Sequence, residues 1–171
     1  YSYSQFCEHL RRQIGHRDLT LALEHEPGKV LMVDFAGKKM QWVDEHSGEV
    51  HVCEVLVAVL PFSQYSFCIA LSSQSLADFI HGLNQSLLFL GALPKVLLSD
   101  NLKAYVSRAD RYEPTFTQLC EQLGAHYQLD LQATRVAKPK DKASVENAVT
   151  QMYRRIYAPL RQEVFHSLES L

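Results

Sequence analysis

The chain lacks a long apolar run. None of its hydrophobic stretches reaches the roughly 20 residues of a bilayer-spanning helix, so no membrane partner is expected. It lacks a recognisable signal peptide and begins at Tyr1 rather than Met, which suggests a piece of a longer, cytoplasmic protein. Paired cysteines are missing too. Cys7, Cys53, Cys68 and Cys120 lie far apart with no CxxC among them, which argues against a disulfide framework or a zinc site. Cys7/His9 and His51/Cys53 have no partner pair at ligand spacing and read as structural or incidental. An excess of one charge is also absent: the formal net charge is −2, too little positive charge to grip nucleic acid by charge alone. There is no repeat, low-complexity tract or inner linker.

What is present suffices for one core. The 171 residues are 47% hydrophobic, which suits a single domain. Residues 3–16 place Phe6, Leu10 and Ile14 on one helical face. Leu19–Leu23 reads as a short extended piece and "EPG" at 26–28 as a break. Strands are expected over 30–35, 39–43 and 50–60, the last stopped by Pro61. Tyr65–Leu71 is a fourth strand or the continuation of the third after a kink. Ser75–Leu90 has helical period, and "KVLLSD" at 95–100 is a short buried strand. A helix is expected over Thr115–Leu123, with Gly124 just past its end, followed by a strand over His126–Gln132. Ser144 or Asp141 caps a last long helix that runs to about Tyr157 and is closed by Pro159. A β-meander followed by αβαβα implies an α/β or α+β domain with a mixed sheet.

Charge is uneven along this frame. Arg135 to Arg161 holds seven Lys/Arg (Arg135, Lys138, Lys140, Lys142, Arg154, Arg155, Arg161) against Asp141 and Glu146, a balance of +5. Such a run is a solvated helix face or a phosphate-facing strip. Three acids stand at telling places. Asp34 lies inside the apolar "VLMVDF", where a carboxylate is costly to desolvate. Asp100 ends the strand after the first long helix. Glu146 lies in the first turns of the last helix, beside a stripe of Val145, Val149, Met152 and Ile156, with Thr150, Tyr153 and Arg154 on its own face. Each acid has a plain reading: a strand edge for Asp34, a turn for Asp100-Asn101, a favourable helix start for Glu146.

The flanks of the three acids change that weighing. "VDFAG" at 33–37, "LLSDNLKAYV" at 97–106 and "KPKDKASVENAV" at 138–149 resemble the catalytic core of DDE transposases, within the retroviral-integrase-like superfamily. The similarity is greatest to the IstA-type transposases of insertion sequences that also encode an AAA+ helper ATPase. "EHEPG" at 24–28 and "FHSLESL" at 165–171 resemble that family as well. Ala143 stands where many relatives have Gly, a change that keeps Glu146 in register. The resemblance implies a ribonuclease H-like fold: a mixed five-stranded sheet flanked by helices over 27–171, with residues 1–26 as a helix and linker leading into it. It implies that the strands of Asp34 and Asp100 are neighbours and that the last helix packs Glu146 against them.

It also implies chemistry. Asp34, Asp100 and Glu146 would be the catalytic residues and the ligands of two Mg²⁺ ions, with Mn²⁺ able to substitute, since hard cations take oxygen ligands. The reaction would be hydrolysis at the transposon ends followed by transfer of the freed 3′-OH into target DNA. Lys138, Lys140 and Lys142 in the loop before the last helix, Arg154 on it, and Asn101 and Lys103 after the second acid are the candidate DNA contacts. Ser99 has no visible base and reads as structural. The implied partners are DNA, further copies of the protein in a synaptic complex and the helper ATPase, on the bacterial nucleoid. Two other readings stand beside this one. A structure-selective nuclease of the same fold commonly carries a fourth carboxylate, and neither Asp44, Asp110 nor Asp141 is a convincing one. A non-catalytic DNA-binding or assembly module is the other. No basic helix-turn-helix is visible, so recognition of the ends is expected to lie outside this stretch.

Overall fold

A computed structural model of the chain describes residues 2–14, 25–99, 105–108, 115–134 and 143–171. After helix α1 (Tyr3–Ile14) come strands β1 (Val30–Phe35), β2 (Met40–Val43), β3 (Val50–Leu60) and β4 (Tyr65–Leu71). Helix α2 (Leu76–Leu90), β5 (Val96–Ser99), β6 (Val106–Arg108) and β7 (Thr115–Phe116) follow. The chain then forms α3 (Gln118–Tyr127), β8 (Asp130–Ala133), α4 (Ala143–Met152), a π-helical turn (Tyr153–Tyr157) and α5 (Ala158–Leu160). Tyr65–Leu71 is thus a strand of its own, turned back antiparallel on β3. The expected extended piece over Leu19–Leu23 lies outside the described residues.

β3 is the long Val-rich strand, and it pairs on both edges. β1 lies antiparallel along one edge, from Met32↔Val59 to Phe35↔Leu56, and β4 along the other. β2 continues on the β1 edge, because Ala36 N–H donates to Val55 O on β3 and Asp44 N–H to Glu49 O just before it, carbonyls of the same parity. Between Phe35↔Leu56 and Met40↔Cys53 the β1–β2 side advances five residues while β3 advances three. Two residues are looped out there, as in a bulge. Six strand segments therefore fill the five positions expected of the sheet. β5 joins the other edge of β1 in parallel, with Val33↔Ser99 as its last pair, and β8 joins β5 in parallel.

The pleat divides the core in two. Leu31, Val33, Leu56, Ala58 and Leu97 face α2 and α3 and pack on Phe79, Leu83 and Leu123. Met32, Val55, Val57, Val59 and Ala36 face α4 and pack on Val145, Ala148 and Met152. Gly82 lets α2 lie close on β3; a Cβ there would stand 2.6 Å from Leu56 Cδ2. Ser75 starts α2, its hydroxyl accepting from Asp78 N–H at 3.2 Å, and Gly91 ends it in the left-handed region at φ 65°.

Four expected boundaries are corrected. Helix α3 starts at Gln118 rather than Thr115, because Thr115 and Phe116 pair with β6 as a strand. Helix α3 does not stop at Leu123; it runs to Tyr127 and ends on Gln128, which takes the left-handed conformation at φ 55°. Gly124 is a packing residue instead, since a Cβ would stand 3.1 Å from Leu131 Cγ and 3.2 Å from Leu129 O. The strand that follows is accordingly Asp130–Ala133 rather than 126–132. Pro159 does not close the last helix; the π turn carries the helix into α5, which includes Pro159.

Candidate active site

The site is built from the α4 face of the sheet. Side chains alternate along β1, so Asp34 shares a face with Met32 and Ala36, the two residues that pack on α4. Its cross-strand partner Val57 belongs to the same cluster. Asp34 is half-buried, and its Oδ1 accepts from Phe35 N–H at 2.9 Å. The apolar run of β1 is thus a rigid mount for a carboxylate that keeps contact with solvent near the strand end.

Ser99 sets the neighbouring strand. Its buried hydroxyl donates to Val33 O at 2.9 Å, tying the ends of β5 and β1 together. That bond gives Ser99 a structural task. Val33 and Ser99 are paired, and the residues that follow them in the sequence are Asp34 and Asp100. Asp100 itself lies outside the described residues, as do Asn101, Lys103, Lys138, Lys140 and Lys142.

Glu146 is exposed in the first turn of α4, between the buried Val145 and Ala148 that seat the helix on the sheet. Thr150 Oγ1 donates to Glu146 O at 2.9 Å. Arg154 and Arg155 are exposed in the π turn. Arg155 lines a groove of about 300 Å³ with Asn147, Gln151, Gln64 and Ser66 on the flank of the helix away from Glu146. The structure thus brings two of the three acids to one face of the sheet. Among the described residues no group of three or more His, Cys, Asp or Glu gathers at ion-binding range. His51 instead stacks on Trp42, with ring centroids 4.3 Å apart, and Asp44 holds the β2–β3 turn by accepting from His46 N–H and Ser47 N–H.

Tyr157 and Lys38 were not singled out in the sequence, and Tyr153 only as a neighbour of Glu146 on its face. Lys38 N–H donates to the Tyr153 hydroxyl at 2.9 Å, and the Tyr157 hydroxyl donates to Lys38 O at 2.7 Å. The Lys38 ammonium lies 5.0 Å from the centre of the Tyr153 ring. Burial, and next the Tyr153 hydroxyl, push the Tyr157 phenol well above its ordinary value, so it stays a proton donor. The available signal was the i, i+4 spacing of two tyrosines on the acid-bearing helix. It has no meaning until the bulge after β1 is known to lie beside them.

Comparisons with known proteins bear on this geometry. Residues 24–139 match the integrase core domain family. A protein of Sinorhizobium fredii provisionally named a transposase is 36% identical over all 171 residues, which cover 33% of its length. The provisionally named transposase of insertion sequence IS408 in Burkholderia multivorans is 35% identical over the same span, again 33% of its length. The chain therefore spans about a third of these relatives. Among solved structures, the catalytic core of BIV integrase superposes with a TM-score of 0.57 at 15% identity, covering 84% of this chain and 77% of that one. The HTLV-2 integrase core in complex with magnesium gives 0.56 at 14%, covering 80% and 75%. These likenesses show the ribonuclease H-like fold. With the family match over 24–139 beside them, the chain belongs to the integrase core domain family.

Proposed function

We propose that this chain is the catalytic core of a DNA transposase that cleaves phosphodiesters at transposon ends and transfers the 3′-OH into target DNA. The observation that carries the reading is the placement of Asp34 on the α4 face of β1, one residue past the Val33–Ser99 pair of parallel strands. The parallel register supports Asp100 as the second acid, and the first turn of α4 supports Glu146 as the third. A set of carboxylates with no thiol or imidazole in it fits Mg²⁺, or Mn²⁺ in its place. Two such ions would offset the charge of the phosphodiester and polarise its attacking and leaving oxygens. Asp34 would hold them from a strand that cannot shift, because β3 and β5 pair with β1 on both edges. Lys138, Lys140, Lys142, Arg154, Asn101 and Lys103 are the proposed contacts to DNA phosphates.

In the full-length protein, residues 1–26 would lead into this core, and copies of the protein would assemble on paired transposon ends. The helper ATPase and a place on the bacterial nucleoid follow from the family resemblance. The HTLV-2 core is described in a dimeric form and a simian T-cell lymphotropic virus relative as an intasome, which supports assembly as the working state. The test is end cleavage and strand joining by the full-length protein with Mg²⁺ and with Mn²⁺. Asp34→Asn, Asp100→Asn and Glu146→Gln should each abolish both steps, since ligands of one site act as a unit. A variant near wild-type activity would remove that residue from the site. Cleavage without joining would favour the nuclease reading.

A further inference from the structure

We infer that Tyr153 and Tyr157 are positioning residues that set the acid-bearing helix against the acid-bearing strand; this rests on the reading of Asp34 and Glu146 as one site. The two looped-out residues fall between β1 and β2, a few residues past Asp34. Such a bulge interrupts the ladder and leaves backbone groups to be paired elsewhere. Here its backbone is held at both polar groups of Lys38, one by each tyrosine hydroxyl. Lys39 adds an ion pair to the mostly buried Glu54, Nζ to Oε1 at 2.5 Å.

The holding side chains come from the helix of Glu146. Tyr153 lies seven residues after Glu146, close to two turns, and so on the same edge of the helix. At that point the helix widens into a π turn, with Ala158 N–H donating to Tyr153 O. π turns are rare and are frequent at functional sites. This one brings both hydroxyls onto one peptide segment, with the rings edge to face at 5.1 Å. The end of the strand carrying Asp34, with Lys38 in the bulge just past it, is thereby pinned to a helix edge carrying Glu146 and Tyr153. Val145, Ala148 and Met152 seat the helix by apolar contact, which resists lifting but tolerates sliding and rotation. The directional bonds to Lys38 remove that freedom.

The test uses the full-length protein with Mn²⁺ as the probe, titrated by electron paramagnetic resonance, alongside thermal melts. Tyr153→Phe and Tyr157→Phe keep the rings and remove one hydroxyl each. Each should weaken Mn²⁺ binding, and the double variant should lose on the order of ten-fold in affinity, the range seen when outer partners of metal ligands are removed. End-cleavage activity should recover partly as Mn²⁺ is raised. Tyr105→Phe serves as the control, since it removes a buried hydroxyl on the opposite face of the sheet; it should lower the melting temperature and leave Mn²⁺ affinity unchanged. If the double variant behaves like Tyr105→Phe, the positioning role is overturned and the tyrosines are structural. If Asp34→Asn also leaves Mn²⁺ binding unchanged, the proposed site itself fails.

Discussion

The two faces of the sheet hold cores of different kinds. Toward α2 and α3 the packing is closed: Leu31, Phe79, Leu83 and Tyr105 are fully buried. The polar groups there are satisfied within the protein, the single Tyr105 hydroxyl proton shared between Leu97 O at 2.8 Å and Gln132 O at 3.1 Å. Toward α4 the side chains are smaller, mostly Val and Ala, and the face carries a half-buried carboxylate, two tyrosine hydroxyls and exposed arginines nearby. The difference teaches a division of labour across one sheet. A closed apolar face fixes the strands, so the open face can carry charge without the strands moving.

The sharpest break of that comparison is Asp34→Asn. Activity of the full-length protein should be lost. The metal-free melting temperature should stay or rise, because Asn still offers an oxygen to Phe35 N–H and would remove one of the like charges of the proposed site. A melt well below wild type in EDTA would make Asp34 a structural acid. On the closed face the effect inverts. Phe79→Ala should cost about 3–5 kcal/mol of stability, read from denaturant unfolding, since a fully buried ring leaves a cavity. Any protein that remains folded should still bind Mn²⁺.

A smaller effect is expected on DNA binding. The chain should bind DNA weakly and without sequence preference, given its net charge of −2. Replacing Lys138, Lys140 and Lys142 with Ala should lower that affinity and flatten its salt dependence by up to about three phosphate contacts. A binding isotherm with an unchanged salt slope would return these lysines to solvated surface. The smallest effect belongs to Tyr105→Phe, about 1 kcal/mol at neutral pH for its lost hydrogen bonds. Burial raises the Tyr105 phenol above its ordinary value of 10.0. Its contribution is therefore fully present below pH 10 and is lost as pH rises beyond it. The gap between wild type and Tyr105→Phe should narrow in melts above that pH.

Local chemistry made much of this legible. The helix α2, with its Ser75 start and its apolar period, and the strands over 30–35, 50–60 and 65–71 follow from patterns a few residues long. Those patterns also marked Asp34 as a costly charge in an apolar strand, and they separated Glu146 from the buried stripe of its helix. The end of α3 was not legible. Gly124 reads as a stop from its own flexibility, but Leu131, from the next strand, decides that it is a packing residue.

The amino-acid sequence by itself determined the alternation that places Asp34 opposite Leu31 and Val33, the helical period that leaves Glu146 at an edge, and the motif blocks that resemble the family. These depend only on bond geometry and on which side chains avoid water. The tertiary structure alone decided the Val33–Ser99 register of β5 on β1, that β2 resumes on the β1 edge after two extra residues, and that two tyrosines more than a hundred positions away close on Lys38. Such pairings are non-local. Their free energy comes from contacts that exist only once the loops between them have closed, so no window of neighbouring residues records them.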